Sequence, residues 1–361
     1  MDNKSFSRSH LRCSLNISFI VAFNRNLEMN IYFERAKHSL KAYEYFNFDK
    51  LDAFHNQDVL SVIFGDNWYS VLITDEEKAF FHVFSKNKIP NSDYFDIEPF
   101  LGYAGPVVNN ENSGFICTAL LKYSEICTEV KIIAEIIRFN PLLNNHVLFN
   151  NSMIKVFLSK EIVITFCRKD KELQLREFSK SRKRDIKIAE KSMIFNPSGD
   201  IEVFKKLYFN SINKHNAKKE WFFKESLFDR IKISPYFNIL EAKSGKDVLS
   251  SAIIIDHLLA SYYFLAANTY PQVTGANDFL LLNACLSSAK KEIPYLILGG
   301  GNSAAEDDPL FMYKKKFTQF STGFYMGKLI HDELVYKKMC YQAISHNTKL
   351  ESMNYFLKYR L

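Results

Sequence analysis

The sequence has little glycine and proline, with 12 and 9 in 361 residues, which argues against a disordered, collagen-like or low-complexity chain. It has no internal repeat and no low-complexity tract, so solenoid architectures are excluded. The six cysteines form no C-x-x-C pair, and no histidine stands near them at metal-ligand spacing. A disulfide framework or a zinc site is therefore not expected, and the thiols are read as reduced. There is no apolar run of about 20 residues, the length a membrane span requires. Residues 15–23 follow Arg8 and Arg12 and faintly resemble a signal peptide, but Asn16 and Ser18 interrupt the run and no small-residue cleavage site follows. Met29 reads as an alternative start, and residues 1–28 as an N-terminal extension.

What the chain has is apolar and aromatic bulk. Apolar residues make up 47%, with 33 Phe and 19 Tyr, enough to fill two domain cores. The net charge of +7 is concentrated in short clusters such as 180–187 and 314–316, and suits an anionic substrate, RNA or an acidic membrane face.

After a first strand near 30–33, residues 58–89 read as a three-stranded meander, split by turn chemistry at 65–67 and 75–77. Residues 112–130 have helical spacing, and 131–139 form a β-branched strand closed by Asn140-Pro141. A strongly charged helix is expected over 171–193 and two helices over 204–233. Strands are expected over 237–243, 248–255 and 260–267. An amphipathic helix over 278–291 follows, with Asn277 or Asp278 as N-cap. A short strand at 295–298, a Pro309-initiated helix over 308–317, a strand at 323–330 and a helix over 331–345 complete the pattern. Two α+β domains with mixed sheets result. The expected division is an extension at 1–28, a first domain at 29–155 and a second at 156–361, with the last strand and helix free to pack on the first domain.

Two loops have the chemistry of sites. Residues 268–277 connect a strand to a helix start, where free amides and the helix dipole favour an anion. Gln272-x-x-Gly275-x-Asn277 matches two of the three fixed positions of the Q/R-x-x-G-x-G/A pattern with which GNAT acyltransferases hold the donor pyrophosphate. Leu298-Gly299-Gly300-Gly301-Asn302 allows close backbone or ligand approach after a buried strand, and is not a Walker loop because no Gly-Lys-Ser/Thr follows. His257 and His331 border strands and read as surface residues, with acid–base groups as the alternative.

In order along the chain, five segments resemble the FemAB family, the GNAT-like aminoacyltransferases that build peptidoglycan cross-bridges, and their bacterial relatives. Residues 96–106, Asp-Ile-Glu-Pro-Phe-Leu-Gly-Tyr-Ala-Gly-Pro, resemble its PFxGYGGP segment. Arg138-Phe139-Asn140-Pro141 resembles RFxP, and residues 180–189 resemble its SxxxRxxIxxA helix. Residues 262–267 with Ala276-Asn277 resemble YYHLSAS…AN, and Leu298 through Asp308 to Phe317 resembles LGGG…DxLFxFKxxF. The resemblance covers about residues 90–340.

It implies an α+β fold of two GNAT-like domains with mixed sheets flanked by helices. It also implies an enzyme that transfers an acyl or aminoacyl group to an amine, from acyl-CoA or aminoacyl-tRNA and with no metal. Lys314 takes the place of the family's oxyanion-stabilising lysine, with Tyr313 instead of Phe before it, and Tyr263 is its catalytic companion. Gln272, Gly275 and Asn277 would hold the donor. Tyr103, Arg138, Arg184, Gly300 and Asn302 would hold the acceptor. Phe264 stands where the family often has His, so no base is assigned. No long heptad arm is present, which points to a smaller relative that acts on an amino sugar or a lipid- or nucleotide-linked glycan precursor. Cytoplasmic location is expected, with the inner membrane face and tRNA as further partners and no DNA. A tRNA-dependent bridge transferase and a non-catalytic protein on a degenerate GNAT scaffold are the alternatives.

Overall fold

The computed structural model describes residues 29–361 apart from residue 100 and residues 215–218. The expected N-terminal extension lies outside the described residues. In the first half the strands are β1 (Asn30–Arg35), β2 (Tyr69–Asp75), β3 (Lys78–Phe84), β4 (Asn87–Lys88), β5 (Phe95–Ile97), β6 (Val107–Val108) and β7 (Ile132–Arg138). The helices are α1 (Ala42–Tyr45), α2 (Gln57–Phe64) and α3 (Ser113–Glu129). The second half opens with β8 (Lys155–Phe166), α4 (Lys171–Glu177), α5 (Lys180–Ala189), β9 (Ile194–Asn196), α6 (Ile201–Lys214) and α7 (Glu225–Ile233). It continues with β10 (Phe237–Ser244), β11 (Asp247–Asp256), β12 (Ser261–Asn268), α8 (Ala276–Lys290), β13 (Tyr295–Gly299) and α9 (Pro309–Lys315). It ends with β14 (Ser321–Ile330), α10 (Glu333–His346) and α11 (Lys349–Ser352).

Each half repeats one theme. Antiparallel strands are followed by a helix and a strand that returns parallel to the sheet. In the first half β1, β2 and β3 form the meander, α3 crosses over, and β7 pairs in parallel with β5. In the second, β10, β11 and β12 form the meander, α8 crosses over, and β13 pairs in parallel with β12. A four-stranded sheet has the order β1-β2-β3-β6, and a ten-stranded sheet runs β4-β5-β7-β14-β8-β13-β12-β11-β10-β9. β14 lies between β7 and β8 and is antiparallel to both, so one strand joins the halves.

Alternation on β2 and β3 sends Val71, Ile73, Phe80 and Phe84 against α3, while Leu72, Phe81 and Val83 face Phe46, Phe48 and Leu60. On β12 one extra residue, Phe264, is bulged between Tyr263 and Leu265. The bulge leaves Tyr262 in the core toward α6 and turns Tyr263 toward α8.

Several expectations are corrected. Residues 58–64 are helical, because Asn56 accepts the amides of Asp58 and Val59 and Gly65 ends the helix at φ +61°. Residues 171–193 hold two helices broken at Phe178, which turns into the core beside Phe317. The N-cap of α8 is Gly275, with Asn277 and Asp278 inside the first turn. That helix is buried almost all round, so it is a core helix and not an amphipathic one. β8, for which the sequence pattern suggested no element, lies in the middle of the large sheet. His257 is buried, the His331 side chain is fully covered, and Nδ1 of His331 shares a hydrogen bond of 3.0 Å with Oγ of Ser124.

Candidate active site

The glycine loop after β13 is the centre of the site. Gly299 has φ +77°, a backbone conformation that suits glycine, and the space beside its α-carbon is bounded by Nζ of Lys314 and the hydroxyl of Tyr103. Asp308 folds the rest of the loop onto α9. One carboxylate oxygen accepts the amides of Leu310 and Phe311 as an N-cap, and the other accepts the amide and hydroxyl of Ser303. These donors hold the carboxyl at about 2, well below its usual range. Gly301 packs so closely on this carboxylate that a β-carbon would stand 2.3 Å from Oδ1.

Two cations converge on this loop, and a third, Arg138, lies near Lys160. Lys314 on α9 donates to the carbonyl of Gly300 at 2.8 Å. Lys160 on β8 donates to the next carbonyl, Gly301, also at 2.8 Å. Arg138, at the end of β7, donates from Nε to the carbonyl of Gly102 at 2.7 Å and lies over the rings of Tyr103 and Phe324 at 5.6 and 4.9 Å. Among the described residues none of the three forms an ion pair. Burial and the neighbouring Lys160 push the Lys314 ammonium down to about 8, with Asp308 opposing. Burial and Arg138 lower Lys160 as well. An unpaired, partly desolvated cluster of this kind is suited to an anion.

Behind Tyr103 the wall is aromatic. Its ring meets Tyr262 at 5.9 Å and Phe54 at 5.9 Å, and burial raises its hydroxyl. Tyr262 donates to the fully buried Asp52 and accepts from Nδ2 of Asn140 at 3.4 Å. Burial lifts Asp52 to about 7 against the pull of these bonds.

The expected site residues therefore fall into separate groups. Tyr103, Arg138, Gly300 and Lys314 lie together, and Asn302 is exposed on the same loop. Tyr263 and Asn277 belong to a neighbouring buried network. The hydroxyl of Tyr263 donates to Oδ1 of Asn277 at 2.8 Å, Nδ2 of Asn277 donates to the Tyr313 hydroxyl at 2.8 Å, and Tyr313 donates to Asp278 at 2.7 Å. Arg182 closes it with ion pairs to Asp278 and Asp185 at 2.7 and 2.9 Å. Gly275, at φ +81°, is pressed against the Asp185 carbonyl, so a β-carbon there would stand 2.4 Å from that oxygen. The first turn of α8 is thus covered by α5. Gln272 lies apart, in a surface cleft of about 580 Å³ shared with Lys214 and Tyr270. Arg184 is exposed on the outer face of α5, next to Asp185 at 3.3 Å.

Lys160 and Asp52 were not singled out from the sequence. β8 was not recognised, and Asp52 sits in irregular chain more than 200 residues from its partner Tyr262. Among the described residues no group of His, Cys, Asp and Glu could hold a metal ion, and no helix is long and apolar enough to cross a membrane.

No protein-family model and no curated protein matches this sequence. Solved structures do match. The crystal structure of FemX superposes with a TM-score of 0.66 at 12% identity, over 83% of this chain and 98% of FemX. The C-terminal domain (DUF2156) of a putative lysylphosphatidylglycerol synthetase from Agrobacterium fabrum gives 0.52 at 11% identity, over 77% of this chain and 88% of that one. L-PGS from Bacillus licheniformis gives 0.50 at 11%, over 70% and 84%. The chain thus shares the fold of FemX, α+β with mixed sheets flanked by helices.

Proposed function

We propose that this protein is an N-acyltransferase that moves an acyl or aminoacyl group from an ester or thioester carrier to an amine. The observation that supports this reading is the Lys314 ammonium, partly desolvated and held on the Gly299–Gly301 turn opposite the Tyr103 hydroxyl. In the reaction the amine lone pair forms the C–N bond, and the carbonyl π pair moves onto oxygen. Lys314 stabilises that oxyanion, a role in which a pre-placed cation is worth far more than in water. Collapse restores the carbonyl and breaks the bond to the carrier, whose oxygen or sulfur takes up the proton released by the amine. Tyr103 and Arg138 line the acceptor side.

Between the two donors, an aminoacyl-tRNA suits the geometry better than acyl-CoA. The first turn of α8, where a CoA pyrophosphate would sit, is buried under α5. The outer face of α5 instead presents Lys180, Arg184 and Lys187 to solvent, with Lys191 just past its end, a row suited to nucleic-acid phosphates. Gln272, Gly275 and Asn277 then shape the loop without holding the donor. The acceptor we infer is an amino sugar or a lipid- or nucleotide-linked envelope glycan precursor, met in the cytoplasm or at the inner membrane face. That inference rests on the sequence resemblance. On this reading the chain divides at 29–155 and 156–361, with the active cleft carried by the second domain.

The test incubates purified protein with charged tRNA or acetyl-CoA and nucleotide-linked amino sugars, and follows acceptor mass. Transfer that disappears in Lys314→Met, with the circular dichroism spectrum retained, supports the reading. Unchanged turnover in that variant, or no transfer from either donor, refutes it and favours a binding protein on the same scaffold.

A further inference from the structure

Lys160 and Lys314 come from different elements, β8 and α9, yet donate to consecutive carbonyls of one turn, Gly301 and Gly300. An ammonium carries three N–H groups, and each of these spends one on the turn. Among the described residues neither has a second acceptor or an ion-pair partner. The surrounding charged and titratable groups are Arg138 at the end of β7, Tyr103 on the loop between β5 and β6, and Asp308 at the start of α9. Asp308 is the only carboxylate among these, and its oxygens are occupied by Ser303, Leu310 and Phe311. Two like charges are therefore held side by side, with their free donors left for a shared anion. Retaining such a pair opposes folding unless something negative enters between them.

We propose that Lys160 is a second catalytic cation, which with Lys314 forms a two-lysine cradle for a single oxyanion. The inference rests on the acyl-transfer reading for the identity of that oxyanion, the tetrahedral oxygen formed when the amine adds to the carbonyl. The cradle itself does not depend on that reading, and inorganic phosphate is a suitable probe of it. Lys160 also sets the protonation of its neighbour, because one ammonium disfavours the other.

The test labels the intact protein with trinitrobenzenesulfonate across pH 6.5–11 and reads modification of each lysine by peptide mass spectrometry. In the native protein Lys314 half-labels near pH 8. In Lys160→Gln, which can still donate to the Gly301 carbonyl but carries no charge, the half-labelling pH of Lys314 rises by about one unit or more. In Lys160→Arg it does not rise. Phosphate slows labelling of Lys314 in the native protein and much less in Lys160→Gln. In the transfer assay Lys160→Gln lowers kcat by roughly tenfold or more and changes acceptor KM less. An unchanged half-labelling pH with undiminished phosphate protection in folded Lys160→Gln overturns the proposal. If Lys160→Gln does not fold, the native protein decides, since phosphate must then protect Lys160 and Lys314 at the same concentration. The labelling needs no turnover, so failure of the acyl-transfer reading would appear in the transfer assay and leave this result intact.

Discussion

On the proposed acyl-transfer reading Lys314 stabilises the oxyanion, and its environment fixes two expectations. Replacement by Met should lower kcat by about 10²–10³-fold, the usual loss when one oxyanion donor is removed, as read by acceptor mass against time. On that reading the ammonium is the active form, and burial beside Lys160 brings it down to about 8. Activity should therefore be retained below that pH and fall as pH rises through it. A pH–rate profile would show a descending limb there. Asp52 behaves in the opposite sense to an ordinary surface carboxylate. Folding raises it from 3.8 to about 7, so between those values the folded state keeps a proton that the unfolded chain has released. Its contribution to stability is fully present below the lower value and is lost as pH rises through the upper one. Asp52→Asn abolishes that dependence. Urea titrations at pH 4 and 7.5 should show the native protein losing on the order of 3 kcal/mol relative to the variant across the interval.

At the scale of elements, the turn into α8 is the sharpest constraint. Gly275 combines a positive φ with a β-carbon position 2.4 Å from the Asp185 carbonyl. Gly275→Ala should therefore destabilise by about 2 kcal/mol or more, with a matching fall in Tm, because the opposing atom is backbone of α5 and cannot swing away. The same scale shows what the sequence made legible. α3 was legible from its helical spacing and α9 from Pro309 at its first position, and the structure adds Asn112 and Asp308 as their caps. β10, β11 and β12 were marked by apolar runs between turn residues. β8 escaped because its first half, Lys155 to Glu161, is partly exposed and mixes Lys, Ser and Glu with apolar residues. α2 was misread because the apolar residues 59, 60, 62 and 63 fit a short buried strand as well as one helix face. The glycine loop and Lys314 could be read because they lie close in sequence. Lys160 and Asp52 reach the site from distant strands and loops, so no local spacing announces them.

For the whole molecule the controlling element is β14. It is hydrogen-bonded to β7 on one side and β8 on the other, and α10 after it covers Ile133 and Ile136 of β7. Calorimetry of the intact chain should give a single transition, because neither half completes its sheet without this strand. A chain ending at residue 320 should fail to give a cooperative transition, and a synthetic peptide of 321–346 added in trans should restore part of it. Two separate transitions in the intact protein would contradict this coupling.

The position of β14 also orders events in time. On the ribosome β7 emerges almost 190 residues before the strand that completes its pairing. The first half must wait with an unpaired edge while nearly all of the second is made, and such edges invite misassembly. Native pairing in the large sheet closes only once β14 has been made. The wall formed by Tyr103 and Arg138 and the turn that holds Lys314 then become fixed in the same step, so a chain that has not yet made β14 holds no assembled candidate site.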